Sequence, residues 1–189
     1  MTEFPLYKNI LLLASGIEAC IEKKLNSSAL ILIYSGIDTV GWLDSAEDFA
    51  TKTSFKKWVD TYLLKAKPLA CTSLDLYAAR CGLLHTFTPD SKLRSEGKAR
   101  YICYAWGTAA VQDMQRTIDL RNKSDKYVAI HVNDLYEAWQ LGVLRFCEEL
   151  EKDPERKAQV HKKAGQFFAE LGLDTMSDIL TVVDKDKGA

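Results

Sequence analysis

Apolar residues recur at helical spacing over most of the chain. From Leu6 to Leu25 the apolar row is Leu6, Ile10, Leu13, Ile17 and Ile21, which predicts an amphipathic helix. Asn26, Ser27 and Ser28 then offer a break and a cap for "ALILIYSGIDTVGWL". That second segment is apolar nearly all round, so it predicts the most buried helix. Ser35 and Asp38 stand out inside it, because buried polar groups need hydrogen-bond partners. They satisfy each other, a neighbouring helix or a site.

"SAEDFATKTS" reads as a polar connection to a third helix, "FKKWVDTYLLKAK", which Pro68 ends. A fourth helix begins at Thr72. Thr72 and Asp75 have the spacing of a capping box, which makes Asp75 a cap rather than a catalytic carboxylate. Pro89 closes the other end, since the residue before a proline is pushed away from helical angles.

Beyond it the pattern changes. "RYICYAW" and "YVAIHV" are rich in aromatic and β-branched residues and predict two short strands, with a short helix in "TAAVQDMQRTIDL" between them. "VNDLYEAWQLGVLRFCEEL" returns to helical spacing with Leu135, Trp139, Val143, Phe146 and Leu150, and Asn133 is its candidate cap. Asp153 and Pro154 start a last helix, cap followed by proline, carrying Val160, Ala164, Phe167, Phe168 and Leu171 and stopping at Gly172. "VVDKDKGA" reads as a mobile tail. The expected fold is mainly α, a helical bundle with a small two-stranded β insertion. Residues 1–189 read as one domain, with a core over 5–175 and a flexible tail over 182–189.

Composition excludes more than it selects. With 25 Lys and Arg against 26 Asp and Glu the formal net charge is −1, so any contact with nucleic acid must come from a local basic patch. No stretch approaches the roughly 20 apolar residues of a membrane helix, and "MTEFPLYKNILLLASG" does not follow the pattern of a signal peptide. A cytoplasmic protein without membrane contact is expected. The five cysteines, Cys20, Cys71, Cys81, Cys103 and Cys147, are scattered, which points to reduced and mostly buried thiols. His131 and His161 have no second ligand at metal spacing, so no metal and no other cofactor is expected.

The candidate chemistry lies in "YAARCGLLHTFTP", where Arg80 and His85 interrupt an otherwise apolar and small-residue helix. In a regular helix the two are about 140° apart around the axis and about 7.5 Å along it, so they converge only if the last turn loosens. One reading is structural. Arg80 pairs with Asp75 or Asp38, and His85 favours the carbonyl end of the helix. The other is chemical. A guanidinium suits phosphate oxygens, and a histidine passes protons near neutral pH. Together they suit cleavage of RNA by its own 2′-hydroxyl without a metal, with His85 moving a proton and Arg80 stabilising the phosphorane. "SKLRSEGKAR" follows six residues later and carries Lys92, Arg94, Lys98 and Arg100 against Glu96, so it reads either as a loop tracking a phosphate backbone or as a solvated turn.

"YSGIDTVGWL" followed by "CTSLDLYAARCGLLHTFTPDSKLRSEGKARYICYAWG" resembles a branch of the HEPN superfamily of plasmid-borne and other bacterial proteins. Its signature, an arginine, four to six variable residues and a histidine near the end of a helix, is matched in its shortest form by Arg80, "CGLL" and His85. The resemblance covers roughly Leu30 to Gly107. It implies a HEPN-like helical bundle and a metal-independent endoribonuclease in a toxin–antitoxin or antiviral defence setting. Arg80 and His85 would be catalytic; Lys92, Arg94 and Lys98 would bind RNA phosphates; Ser35, Asp38 and Tyr77 would support them. It also implies a homodimer whose two motifs share one cleft, and an antitoxin or neighbouring defence protein as partner. Many active members carry a polar residue directly after the arginine, where this chain has Cys81. The alternative is a non-catalytic HEPN-like module that binds a nucleotide, RNA or a protein.

Overall fold

The computed structural model describes residues 5–166. Helix α2 (Asn26–Leu43) is the hub: it packs against α1 (Pro5–Glu22), α3 (Lys52–Trp58), α5 (Ser73–Thr86), α8 (Val132–Leu150) and α9 (Pro154–Ala164). Its apolar circumference is the reason. Leu30, Ile33, Tyr34, Ile37 and Val40 are all buried, in one core with Leu6, Ile17, Trp58, Leu76, Trp139 and Phe146.

The boundaries differ from the sequence pattern where side chains compete for backbone groups. Helix α3 starts three residues before the expected Phe55. The cause is a capping box at Thr51 and Ser54, in which Thr51 Oγ1 accepts from Ser54 N at 3.1 Å. Helix α3 then widens into a π-helical turn, Val59–Leu63, before the short α4 (Leu64–Ala66). Widening inserts an extra residue per turn, and here Val59, Tyr62 and Leu63 are all buried. Helix α8 comes so close to this turn that a Cβ on Gly142 would lie 3.1 Å from Leu63 Cα. Helix α8 is capped not by Asn133 but by His131, whose Nδ1 accepts from Asn133 N at 3.1 Å while Nε2 meets Gly107 O at 3.1 Å. A carbonyl only accepts, so Nε2 donates and Nδ1 is the free lone pair.

Strands β1 (Tyr101–Ala105) and β2 (Tyr127–His131) form a two-stranded parallel sheet, with Tyr101 opposite Tyr127 and Ala105 opposite His131. Parallel pairing demands a crossover, and α7 (Val111–Leu120) supplies it, lying on both strands. Gln115 Oε1 on α7 accepts from Ala129 N at 2.9 Å, so the helix satisfies one β2 amide directly. The molecule is thus mainly helical with a small parallel β unit. Among the described residues no helix is long and apolar enough to cross a membrane. The cysteines are free thiols, but only Cys71 is buried; the other four are half-exposed. The readings at Phe167, Phe168, Leu171 and Gly172, the end of the 5–175 core and the tail over 182–189 lie outside the described residues.

Candidate active site around Arg80 and His85

Helix α5 holds both motif residues and is anchored at each end. At its start, Thr72 Oγ1 accepts from Asp75 N at 3.1 Å and Asp75 Oδ2 accepts from Thr72 N at 3.0 Å. Asp75 also takes Arg100 N at 2.7 Å and Arg100 Nη2 at 2.8 Å. Burial by itself would raise its carboxyl. The hydrogen bonds from Thr72 and Arg100 outweigh that and hold it below the ordinary value. At the other end α5 stays regular to Thr86, and Phe87 turns left-handed at φ 54°. Phe87 N then reaches Leu83 O and Thr88 N reaches Gly82 O, each at 3.2 Å. The first of these, from the left-handed residue to the carbonyl four back, is the αL cap. The loop that follows lies directly on α5: a Cβ on Gly82 would stand 2.5 Å from Asp90 O.

Arg80 donates from Nε to Asp38 Oδ2 at 2.6 Å, and its Nη1 lies 3.0 Å from His85 Nε2. The helix has not loosened to bring the two together. Side chains on a helix lean towards its N-terminus, so His85 leans back while the long arginine covers the remaining rise. A guanidinium has donors only. The contact therefore requires an unprotonated His85 Nε2, with the ring proton on Nδ1. Asp38 and Arg80 are largely covered, with side chains 15% and 19% exposed, while His85 is exposed. Burial pushes the Asp38 carboxyl up, against the pull of Arg80. Arg80 is held more firmly protonated than usual: burial opposes its charge, but Asp38 prevails.

Two further residues close around this chain. Cys81 lies within hydrogen-bonding reach of both Tyr77 and Arg80. The Tyr77 phenol is pushed up, first by burial and then by Cys81. Its ring carries Lys52 Nζ at 5.9 Å and meets Phe55 edge-on at 5.4 Å. Lys52, exposed at the start of α3, also acts on Glu96, which accepts from Lys98 at 2.8 Å and lies 4.0 Å from Lys92. Lys52, Lys92 and Lys98 therefore form one basic rim continuous with Tyr77. Lys52 sits 28 residues before the motif arginine, and no local pattern links the two. The physical clue was its place at a helix start beside an otherwise polar connection.

Two expectations change. Ser35 is exposed, not buried; it borders a cleft with Leu13, Thr39 and Trp139, on a different side of α2 from Asp38. It takes no part in the Arg80 cluster. Arg94, expected to project from a basic loop, is 6% exposed on the short α6 (Lys92–Ser95). Its guanidinium carbon lies 5.0 Å from the Tyr101 ring centre. Only Lys92 and Lys98 point outward as a phosphate-tracking loop would require, with side chains 89% and 64% exposed.

A second polar cluster lies where α2 ends. Arg156 donates from Nε to Asp44 Oδ1 at 3.0 Å, also bonds Asp44 and the Tyr62 hydroxyl through Nη2, and approaches Glu149 at 3.6 Å. This cluster ties α9 to α2, to the π-helical turn and to α8, beside a cleft of about 540 Å³. Among the described residues no three His, Cys, Asp or Glu side chains lie close enough together to hold a metal ion.

The arrangement at α5 offers an exposed imidazole and a guanidinium steered onto its Nε2 by a half-buried carboxylate. Comparison with known proteins adds no name to this geometry: no family model, no curated protein and no solved structure matches the chain.

Proposed function

We propose that the chain is a HEPN-type endoribonuclease that cleaves RNA without a metal, with Arg80 and His85 at the cleavage site. One observation carries the reading: the exposed His85 holds Nε2 3.0 Å from the Nη1 of an arginine that Asp38 fixes in place. In the proposed reaction Nε2 takes the proton of the ribose 2′-hydroxyl as it attacks the adjacent phosphorus. The bond to the 5′-oxygen breaks and water protonates the leaving oxygen, giving a 2′,3′-cyclic phosphate and a 5′-hydroxyl, while the proton on Nε2 later passes to solvent. Arg80 still carries N–H bonds on Nη1 and Nη2 that Asp38 and His85 do not use, and these face the charge growing on the phosphorane. Lys52, Lys92 and Lys98 give the RNA backbone a local positive path in a chain of net charge −1.

One arginine and one histidine are a sparse set, and a homodimer that brings two motifs into one cleft would double it. Phe87, 65% exposed two residues beyond His85, would be covered in such a dimer. An antitoxin or neighbouring defence protein that blocks the same face fits this reading.

The test is cleavage of structured and unstructured RNA by the purified protein in EDTA. Arg80→Ala and His85→Ala are expected to lower the rate at least about 100-fold, in the range of one general base or one charge-stabilising donor. Folded wild type that cuts no RNA, or variants that cut equally well, would rule the reading out. The second reading is a non-catalytic HEPN-like module that binds nucleotide, RNA or protein. It draws on Cys81, which fills the position after the motif arginine and lies against Arg80 and Tyr77. Binding of RNA without turnover, weakened by Arg80→Ala, would favour it.

A further inference from the structure

Arg94 is the anomaly of the structure. It is only 6% exposed, and its Nε has no hydrogen-bond partner. Its side chain makes no ion pair or hydrogen bond with any described residue. Arginine cannot escape the problem by losing its proton, because its charge persists at any physiological pH. The one contact present, with the Tyr101 ring at 5.0 Å, is worth roughly 0.5–2 kcal/mol. The buried Nε has lost water without gaining an acceptor, which the ring does not replace, and Nη1 and Nη2 stay open to solvent with no partner among the described residues.

The surroundings are unbalanced in one direction. Ser91 Oγ, three residues earlier in the same turn, is also buried without a partner. The hydroxyls of Tyr34 and Tyr104 bond each other, which uses one of their two protons and leaves the other to donate. Both lie near enough to Arg94 to feel its charge. Asp90, the carboxylate beside Tyr101, is engaged by the Tyr101 hydroxyl at 2.5 Å and makes no ion pair with Arg94. Guanidinium, serine hydroxyl and a spare phenol are all donors, and the group missing among them is an acceptor carrying negative charge. The exposed Lys92 and Lys98 add positive potential at the surface of the same segment.

We propose that Ser91 and Arg94, with the Tyr34–Tyr104 pair behind them, form a receptor for a phosphate group separate from the Arg80–His85 pair. A tetrahedral oxyanion can accept from the arginine fork and from two hydroxyls at once. The phosphate is either free or the terminal phosphomonoester of a nucleic acid. The site does not rest on the ribonuclease reading.

The experiment is thermal unfolding and calorimetry of the full chain with inorganic phosphate, against chloride at matched ionic strength. Saturable binding of phosphate should raise the unfolding midpoint by about 2–4 °C once it supplies about 1 kcal/mol. Arg94→Met fills similar space without the charge; it should weaken phosphate binding at least about 10-fold, and Ser91→Ala should weaken it less. His85→Ala should keep the full phosphate response even where RNA cleavage is lost, which separates this site from the cleavage site. An oligonucleotide tested with and without a 5′-phosphate tells the two sources apart. A large preference for the phosphorylated form assigns the receptor to a nucleic-acid end, and no preference assigns it to free phosphate. Wild type indifferent to inorganic phosphate in both measurements, or Arg94→Met binding it as wild type does, would overturn the proposal.

Discussion

Asp38 is a structural partner of Arg80 and, in the proposed reaction, its positioning residue. Its carboxylate is half-buried at a cost that pushes its protonation upward, and it spends that burial on fixing Arg80. Without it the guanidinium would swing on four rotatable bonds, and the His85 contact would be one arrangement among many. Asp38→Asn keeps the shape and an acceptor oxygen while removing the charge. Its stability is expected to stay within about 1 kcal/mol of wild type, because neutralising a half-buried carboxylate relieves desolvation as it loses attraction. RNA cleavage should fall about 10-fold or more as Arg80 loses its anchor. Urea unfolding and single-turnover cleavage, measured together, check this; a stability loss that fully accounts for lost cleavage would make Asp38 merely structural.

At the scale of elements, α5 is a rigid bar clamped at both ends. Its first turn is tied by the Thr72–Asp75 box and by Arg100, and its last by the αL cap at Phe87 and the loop seated on Gly82. Those anchors keep Arg80 and His85 at a fixed separation. The Asp75 end carries a pH signature. Its pKa is lower in the folded state than the roughly 3.9 of an unfolded chain, so its stabilisation is complete above that value and drains away as pH falls below it. Asp75→Asn should cost about 1–3 kcal/mol at pH 7. Its deficit should narrow as pH falls below about 3.9, where the unfolded wild type takes up the proton that folded Asp75 resists. Urea denaturation at pH 7 and pH 3 makes the comparison, and an unchanged gap would show that the Arg100 pair contributes little.

For the whole molecule, the two polar clusters divide the labour. Arg156, Asp44, Tyr62 and Glu149 join α9 to the bundle, while Arg80 and His85 sit in the second half of α5 against Asp38, with His85 exposed. A cleavage site made from two copies predicts a dimer. Sedimentation at micromolar concentration should show it, and a variant at Phe87 such as Phe87→Asp should shift it towards monomer. A wild type that is only monomeric under those conditions would contradict the shared cleft and leave any cleavage to a single Arg–His pair.

Local physics suffices for much of this. Helical periodicity located α1, α2, α5 and α8. The Thr72–Asp75 spacing identified the cap, and the aromatic and β-branched runs identified both strands. Each depends on neighbours a few residues apart, which is where propensity and capping act. The Arg80–His85 pair was also legible, as an arginine and a histidine with no place on an apolar helix. Long-range packing decided the rest. Asp38 rather than Asp75 became the partner of Arg80, because Arg100 arrives from 25 residues away to occupy Asp75. Ser35 turned outward while Asp38 turned inward, because three residues along a helix change the face by about 60°. Arg94 was buried where its charged neighbours suggested a surface loop, since the fold of α6 against β1 sets its direction and local composition does not. The parallel pairing of β1 and β2 followed from α7 crossing between them. Sequence determined which residues could do chemistry; tertiary contact decided which charges meet and left the buried Arg94 Nε without a partner among the described residues.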